Sequence, residues 1–187
     1  AQALMLNTHF SIEQLGRINA NGFINFNGTA GIWRRACIDK AGGWQADTLT
    51  EDLDLSFRAQ MQGWQFKYLF NVGSPSELPM TFSAFRAQQF RWSKGAAECL
   101  RKNFQKLWQS DSKLIAKLIG TFHLLNSSVY LLVVGILLLS PAVYHFRKIG
   151  AIDVPYVQQL ELLGPIVLGL LFSIFFVGSL LTSQNKL

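Results

Sequence analysis

The run Gln88-Gln89-Phe90-Arg91-Trp92 brings together side chains whose chemistry exceeds what a structural helix requires. On a helix, Gln88, Arg91 and Trp92 fall at i, i+3 and i+4 and share one face. That face groups an amide, a permanent cation with a two-pronged fork and a flat π surface. A guanidinium suits a diphosphate, and an indole suits the C–H side of a sugar ring. A membrane-interface helix is the competing reading, with Trp at the headgroup level and Arg on lipid phosphate. These five residues do not decide between the two.

A second candidate lies upstream, in Thr50-Glu51-Asp52-Leu53-Asp54. Thr is a favoured N-cap, and acidic residues in a first turn complement the helix dipole. The same carboxylates could serve as a general base, because a sugar hydroxyl is a weak nucleophile that gains from a carboxylate within hydrogen-bond reach. Asp52-Leu53-Asp54 also spells D-x-D, a pattern associated with metal-bound nucleotides. Two residues apart on a helix is about 200°, however, so these two carboxylates should diverge. Asn25-Phe26-Asn27-Gly28-Thr29 reads as a strand end and tight turn, in which Gly28 permits close backbone approach to a ligand. His9 and His123 lack partners at metal-ligand spacing. Cys37 and Cys99 read as free packing thiols. No Ser-His-Asp pattern, P-loop or Cys-x-x-Cys is present.

The elements that must carry these residues follow from periodicity. Thr8–Asn19 reads as a modest helix ended by Gly22, and Phe23–Asn27 as a short strand before the small-residue turn 28–31. Ile32–Arg34 could continue a strand before a short helix, Arg35–Ala41, stopped by Gly42-Gly43. Thr50 opens the clearest helix of this half, with Leu53, Phe57 and Met61 at i, i+4 and i+8 and Gly63 closing it. Gln65–Phe70 alternates as a strand would, and Pro75 and Pro79 bracket a loop. Ser83–Lys102 is a long amphipathic helix. Short strands interleaved with helices indicate an α/β domain.

Half of the 187 residues are hydrophobic, but unevenly placed. Leu118–Ser140 and Leu162–Thr182 contain no Asp, Glu, Lys or Arg, and each reaches the ~20 residues that a bilayer span requires. Thr121, His123, Asn126, Ser127 and Ser128 in the first stretch imply that its early turns face protein. The net charge of +6 is matched by residues 84–117 alone, with eight Lys and Arg against Glu98 and Asp111. The positive-inside rule then puts residues 1–117 in the cytoplasm. A basic cluster beside a span points to anionic lipid, not nucleic acid. The division expected is 1–80 as the soluble α/β part, 81–112 as an interface helix with a basic linker, and 113–187 as a membrane region with two spans. A start at Ala1 and an end just past a span suggest a piece of a longer membrane protein.

In order, F-N-G-T at Phe26–Thr29, T-E-D at Thr50–Asp52 and Q-x-x-R-W at Gln88–Trp92, followed by apolar spans, resemble processive family 2 glycosyltransferases of the cellulose-synthase-like type. Phe26–Lys40, Ala41-Gly42-Gly43-Trp44 and Leu49–Gly63 are especially similar to β-mannan (glucomannan) synthases. The resemblance covers about residues 8–105. It implies part of a GT-A domain on the cytoplasmic face of a cell or inner membrane, an inverting enzyme that extends a β-linked polysaccharide. It implies a UDP- or GDP-hexose donor, a glycan or lipid acceptor, and Mg²⁺ or Mn²⁺ held by residues outside this chain. By the same resemblance Asp52 is the general base within Thr50-Glu51-Asp52. Gln88 and Arg91 lie near the donor diphosphate, Trp92 stacks on the acceptor sugar, and Asn27 and Gly28 line the acceptor end. The first half of such a domain is missing, so the 187 residues alone are expected to be inactive. Ceramide glucosyltransferase-like enzymes share a related (Q/R)-x-x-R-W element and leave a glycolipid product as the alternative. A non-catalytic, lipid-binding membrane module is the alternative from another class.

Overall fold

A computed structural model of the chain describes residues 2–150 and positions 163, 164, 166, 169, 170, 173 and 177. Among the described residues the bounded α-helices are α1 (Gln2–Thr8), α2 (Gln14–Asn19), α3 (Arg35–Lys40), α4 (Glu51–Met61), α5 (Phe82–Gln109), α6 (Leu114–Leu125) and α7 (Val129–Lys148). A π-helical stretch, His9–Glu13, precedes α2, and a 3-10 turn, Asn126–Ser128, follows α6. Residues Glu13–Ser128 pack as one compact unit, and Ala1–Ile12 with Val129–Leu187 form the other.

Within Glu13–Ser128, α4 is the central element. Leu53 and Phe57 face one apolar cluster, with Phe23, Cys99, Leu107, Ala116 and Leu124. Leu55 and Ala59 face a second, with Cys37 and Ala41 and the flanking Trp33, Trp64 and Phe66. Every residue from Leu53 to Ala59 is buried, so the helix is covered on all sides. The i, i+4, i+8 stripe in the sequence marks only the first of these faces.

The expected strands do not form: among the described residues there is no β-ladder, and the arrangement is mostly helical. The reason is visible at residues 22–27. Gln60 accepts from the Ile24 amide (3.0 Å) and donates to its carbonyl (2.6 Å), while Ser56 Oγ accepts from the Phe26 amide (2.9 Å). Gln14 donates to the Asn25 carbonyl, and Arg17 to the Asn25 side chain. Bonding alternates to either side, as along an extended chain, but helix side chains stand where neighbouring strands would. Ile32–Arg34 and Gln65–Leu69 are likewise irregular.

α5 is longer at its C-terminal end than the sequence indicates, with 28 residues. Thr81 caps it, its hydroxyl accepting from the Ala84 amide. The apolar stretch 118–140 is not one helix. Its first part is α6, whose Ala116, Gly120 and Leu124 are buried against the core. A Cβ on Gly120 would meet Phe23 and Phe57 at 3.2 Å, so the missing side chain is what admits α6 so closely. Trp108 Nε1 donates to Thr121 Oγ1, and the His123 ring stacks on Phe57, as the polar residues of this stretch suggested. The break at Asn126–Ser128 separates α6 from α7, in which Leu131–Lys148 is long and apolar enough to cross a membrane, with a mean hydropathy of 1.4. The expected second span, 162–182, lies outside the described residues apart from seven helical positions.

Candidate functional site

The site is built around the first turn of α4. Thr50 occupies the N-cap position, yet its side chain makes no capping hydrogen bond. Its hydroxyl lies 3.6 Å from Cys99 Sγ, which also donates to the Thr50 carbonyl at 3.7 Å. Burial pushes the Cys99 thiol up to about 11, so it stays protonated and able to donate. Gly95, one turn earlier on α5, lies directly against Thr50: a Cβ there would fall 2.5 Å from both Thr50 Cγ2 and Oγ1. The close approach of α5 to the T-E-D turn therefore depends on a residue with no side chain.

Asp52 is half-buried, with Oδ1 accepting from the Leu53 amide at 2.8 Å. Burial raises its carboxyl above the ordinary value; the Leu53 hydrogen bond opposes this, and the charge of Glu51 adds to it. Gly28 stands over the other oxygen. It adopts φ +76°, and a Cβ built on it would lie 3.3 Å from Asp52 Oδ2. The turn is tight, with the Thr29 amide donating to the Asn27 carbonyl (2.9 Å) and Asn25 Nδ2 donating to Asn27 Oδ1 (2.6 Å). Ser56 ties the two pieces together, since its hydroxyl donates to the Asp52 carbonyl (2.6 Å) while accepting from Phe26. F-N-G-T and T-E-D, 24 residues apart at Gly28 and Asp52, thus meet at one carboxylate. Glu51 is exposed.

Asp54, the second acid of D-x-D, is turned into the core and is fully buried. It accepts from Arg58 Nε (2.8 Å), Lys102 Nζ (2.9 Å) and Asn103 Nδ2 (2.8 Å). Arg58 also donates to the Ala41 and Gly43 carbonyls. The divergence of the two carboxylates is thus a division of labour: one opens toward Gly28, the other is spent on packing. The divalent cation that the resemblance implies finds no fitting set among the described residues. Asp54 is committed to two cations and an amide, and among the described residues no group of three or more His, Cys, Asp or Glu converges.

The placement of Gln88, Arg91 and Trp92 follows from helix register. Thr50 meets Gly95 and Cys99, and Asp54 meets Lys102 and Asn103, so α4 and α5 run parallel. Residues 82–94 then extend beyond the start of α4, a projection of ~20 Å at 1.5 Å per residue. Arg91 lies on the same i, i+4 row as the buried Gly95, Cys99, Asn103 and Leu107. Gln88 is half-buried, whereas Arg91 and Trp92 are exposed. Among the described residues no hydrogen bond or ion pair joins Arg91 or Trp92 to Asp52. The structure therefore gathers Thr50, Asp52 and Gly28, and sets Gln88, Arg91 and Trp92 on an arm beyond them. Two concavities, of about 420 and 390 Å³, lie elsewhere, beside Arg58 and Lys106 and beside Gln60 and Trp64.

Sequence reasoning missed Gly95, Lys102 and Asn103. The signal was available in part: a lone Gly inside a helical pattern marks close approach.

Comparison with known proteins gives the family. The profile of glycosyl transferase family group 2 matches residues 8–181, and the chain belongs to that family. It is 36% identical over 170 residues to glucomannan 4-beta-mannosyltransferase 1 of Oryza sativa subsp. japonica, covering 85% of this chain and 32% of that protein. It is 52% identical over 101 residues to glucomannan 4-beta-mannosyltransferase 2 of Arabidopsis thaliana, covering 54% of this chain and 19% of that protein. The chain thus spans about a third or less of the length of these relatives. No solved structure matches it.

Proposed function

We propose that this chain carries the acceptor-activating part of an inverting, nucleotide-sugar-dependent membrane glycosyltransferase that extends a β-linked polysaccharide. The observation that carries the reading is the meeting of Gly28 and Asp52: a half-buried carboxylate is left open beneath a bare turn. Asp52 takes the proton of the acceptor hydroxyl as that oxygen attacks the anomeric carbon of the donor. A carboxyl raised by burial is a stronger base than an ordinary one. Arg91 supplies positive charge toward the departing diphosphate, and Gln88 hydrogen-bonds beside it. Trp92 offers its ring to the acceptor sugar, and Asn27 with Gly28 borders the acceptor end.

The relatives' names support 4-β-mannosyl transfer to a glucomannan-type chain over a glycolipid product. Among the described residues none converge to hold a metal, so no step is assigned to one; Mg²⁺ or Mn²⁺ would be held by other parts of the enzyme. Because the chain spans about a third or less of its relatives' length, we expect the 187 residues in isolation to be inactive. We place α7 in the membrane and residues 1–117 on its cytoplasmic side, with 1–80 belonging to the GT-A domain, 81–112 to the interface helix and linker, and 113–187 to the membrane region.

Asp52→Asn in a full-length enzyme carrying this chain tests the assignment. Turnover should fall by about 10²–10⁴, the usual worth of a positioned general base, while donor binding is kept. Turnover near the parental rate would refute the role.

A further inference from the structure

The C-terminal half of α5 holds one ammonium among three oxygens. Lys102 Nζ lies 2.6 Å from Gln45 Oε1, 2.6 Å from Asp47 Oδ1 and 2.9 Å from Asp54 Oδ2. An ammonium has three N–H donors, and each is matched. The oxygens belong to two pieces of chain: Gln45 and Asp47 lie in the loop that leads into Thr50, and Asp54 on α4. The side chain of Lys102 is 16% exposed and that of Asp54 fully buried, so the bond to Asp54 is shielded from competing water.

We propose that Lys102 is a positioning residue for the sugar transfer assigned above: it fixes the 45–50 loop, α4 and α5 in one register and so sets the distance between Asp52 and the Arg91–Trp92 arm. This inference rests on the proposed function. The argument is geometric. α5 meets the T-E-D segment at Gly95 and Cys99, and a rod held over one turn can still pivot. Lys102, with Asn103 beside it, supplies a second hold seven residues on from Gly95, ~10 Å away along the axis, and Lys102 extends that hold to Gln45 and Asp47. Gln88 lies seven residues on the other side of Gly95, so a shift at Lys102 returns at Gln88 with about the same size and at Arg91 with roughly half. Misplacement by about 1 Å can cost a factor of roughly 10² in rate.

Lys102 is also separable from the fold. Without it, Asp54 keeps Arg58 and Asn103, so the buried carboxylate is not orphaned. What is lost is the link to Gln45 and Asp47. Asp47 is exposed, and the hydrogen bond from Lys102 holds its carboxyl below the ordinary value.

The test uses a full-length enzyme with Lys102→Met, Asp47→Asn and the double variant. Single-turnover rate, acceptor KM, donor Kd and melting temperature are measured on each. The rate of Lys102→Met should fall by about tenfold or more and its acceptor KM rise, with donor Kd within about twofold of the parent. Asp47→Asn should move the same parameters by a smaller factor and add little in the double variant, because both remove one interaction. Rates per folded enzyme within about twofold of the parent in both single variants would overturn the proposal, as would losses that multiply in the double variant. If Lys102→Met does not fold, Asp47→Asn decides by its rate and KM. Asp52→Asn run in parallel separates the two readings. If it keeps turnover, the proposed function fails; if it abolishes turnover while the Lys102 and Asp47 variants both stay within about twofold of the parental rate, only this inference fails.

Discussion

The two halves of α5 share one helix and little else. From Gly95 to Leu107 every fourth residue is buried, and the side chains between them reach Leu49, Gln45, Asp47 and Asp54. From Phe82 to Lys94 no residue is buried, and Phe82, Phe90 and Trp92 stand exposed. The change falls at Gly95, where α5 touches Thr50 and passes the end of α4. The C-terminal half is where packing determines the sequence. The N-terminal half carries side chains that packing does not need, and the proposed chemistry sits there. A helix can thus be structural and functional in series, with the packed half serving as the mount for the exposed one.

Mutations should separate these halves. The largest effect on stability is expected from Asp54→Ala, which strips the packed half of its partner and leaves Arg58 and Lys102 without their shared carboxylate. A loss of about 3–5 kcal/mol is expected, read as a fall in denaturant midpoint. If Asp54→Ala is well tolerated, the packed half is not what holds α5. Gly95→Ala should come next, since a methyl 2.5 Å from Thr50 must push the helices apart. A loss of about 1–3 kcal/mol is expected together with reduced turnover, because the arm moves with its mount. Trp92→Ala should invert this pattern, changing stability by no more than about 0.5 kcal/mol while raising acceptor KM.

The smallest effect concerns Asp52 itself. A carboxyl raised by burial binds its proton more tightly in the folded protein than in the unfolded chain, so its ionised form weakens the fold as pH rises past the ordinary Asp range. Asp52→Asn should therefore leave melting temperature unchanged or slightly raised at neutral pH, even as turnover is lost. A capping or dipole role would give the opposite sign. In the parent enzyme the acid limb of kcat/KM should lie above the range of an ordinary Asp.

The elements of the candidate site were more legible in the sequence than the strands of the fold were. Thr50-Glu51-Asp52 and Phe26–Thr29 carried their meaning in residue type and order, and the structure brings Gly28 to Asp52. The strand at Phe23–Asn27 was misread because alternation reports an extended backbone, not its partners. Gln60, Ser56 and Gln14 fill the bonding that a sheet would supply. The apolar stretch 118–140 misled for a related reason. Hydropathy sums apolar character without saying what covers it, and α6 is covered by Phe23, Phe57 and Leu107. Lys102 could not be singled out at all. Among eight basic residues in 84–117, only tertiary proximity distinguishes the one that gathers three oxygens.

The bare contact between Gly95 and Thr50 has a consequence for how this family can diverge. Only a hydrogen fits at position 95 while position 50 carries a branched side chain, so neither can drift alone without parting the helices. In an alignment of relatives the two columns should co-vary: bulk gained at one should be matched by bulk lost at the other, with the spacing between arm and carboxylate as the quantity preserved.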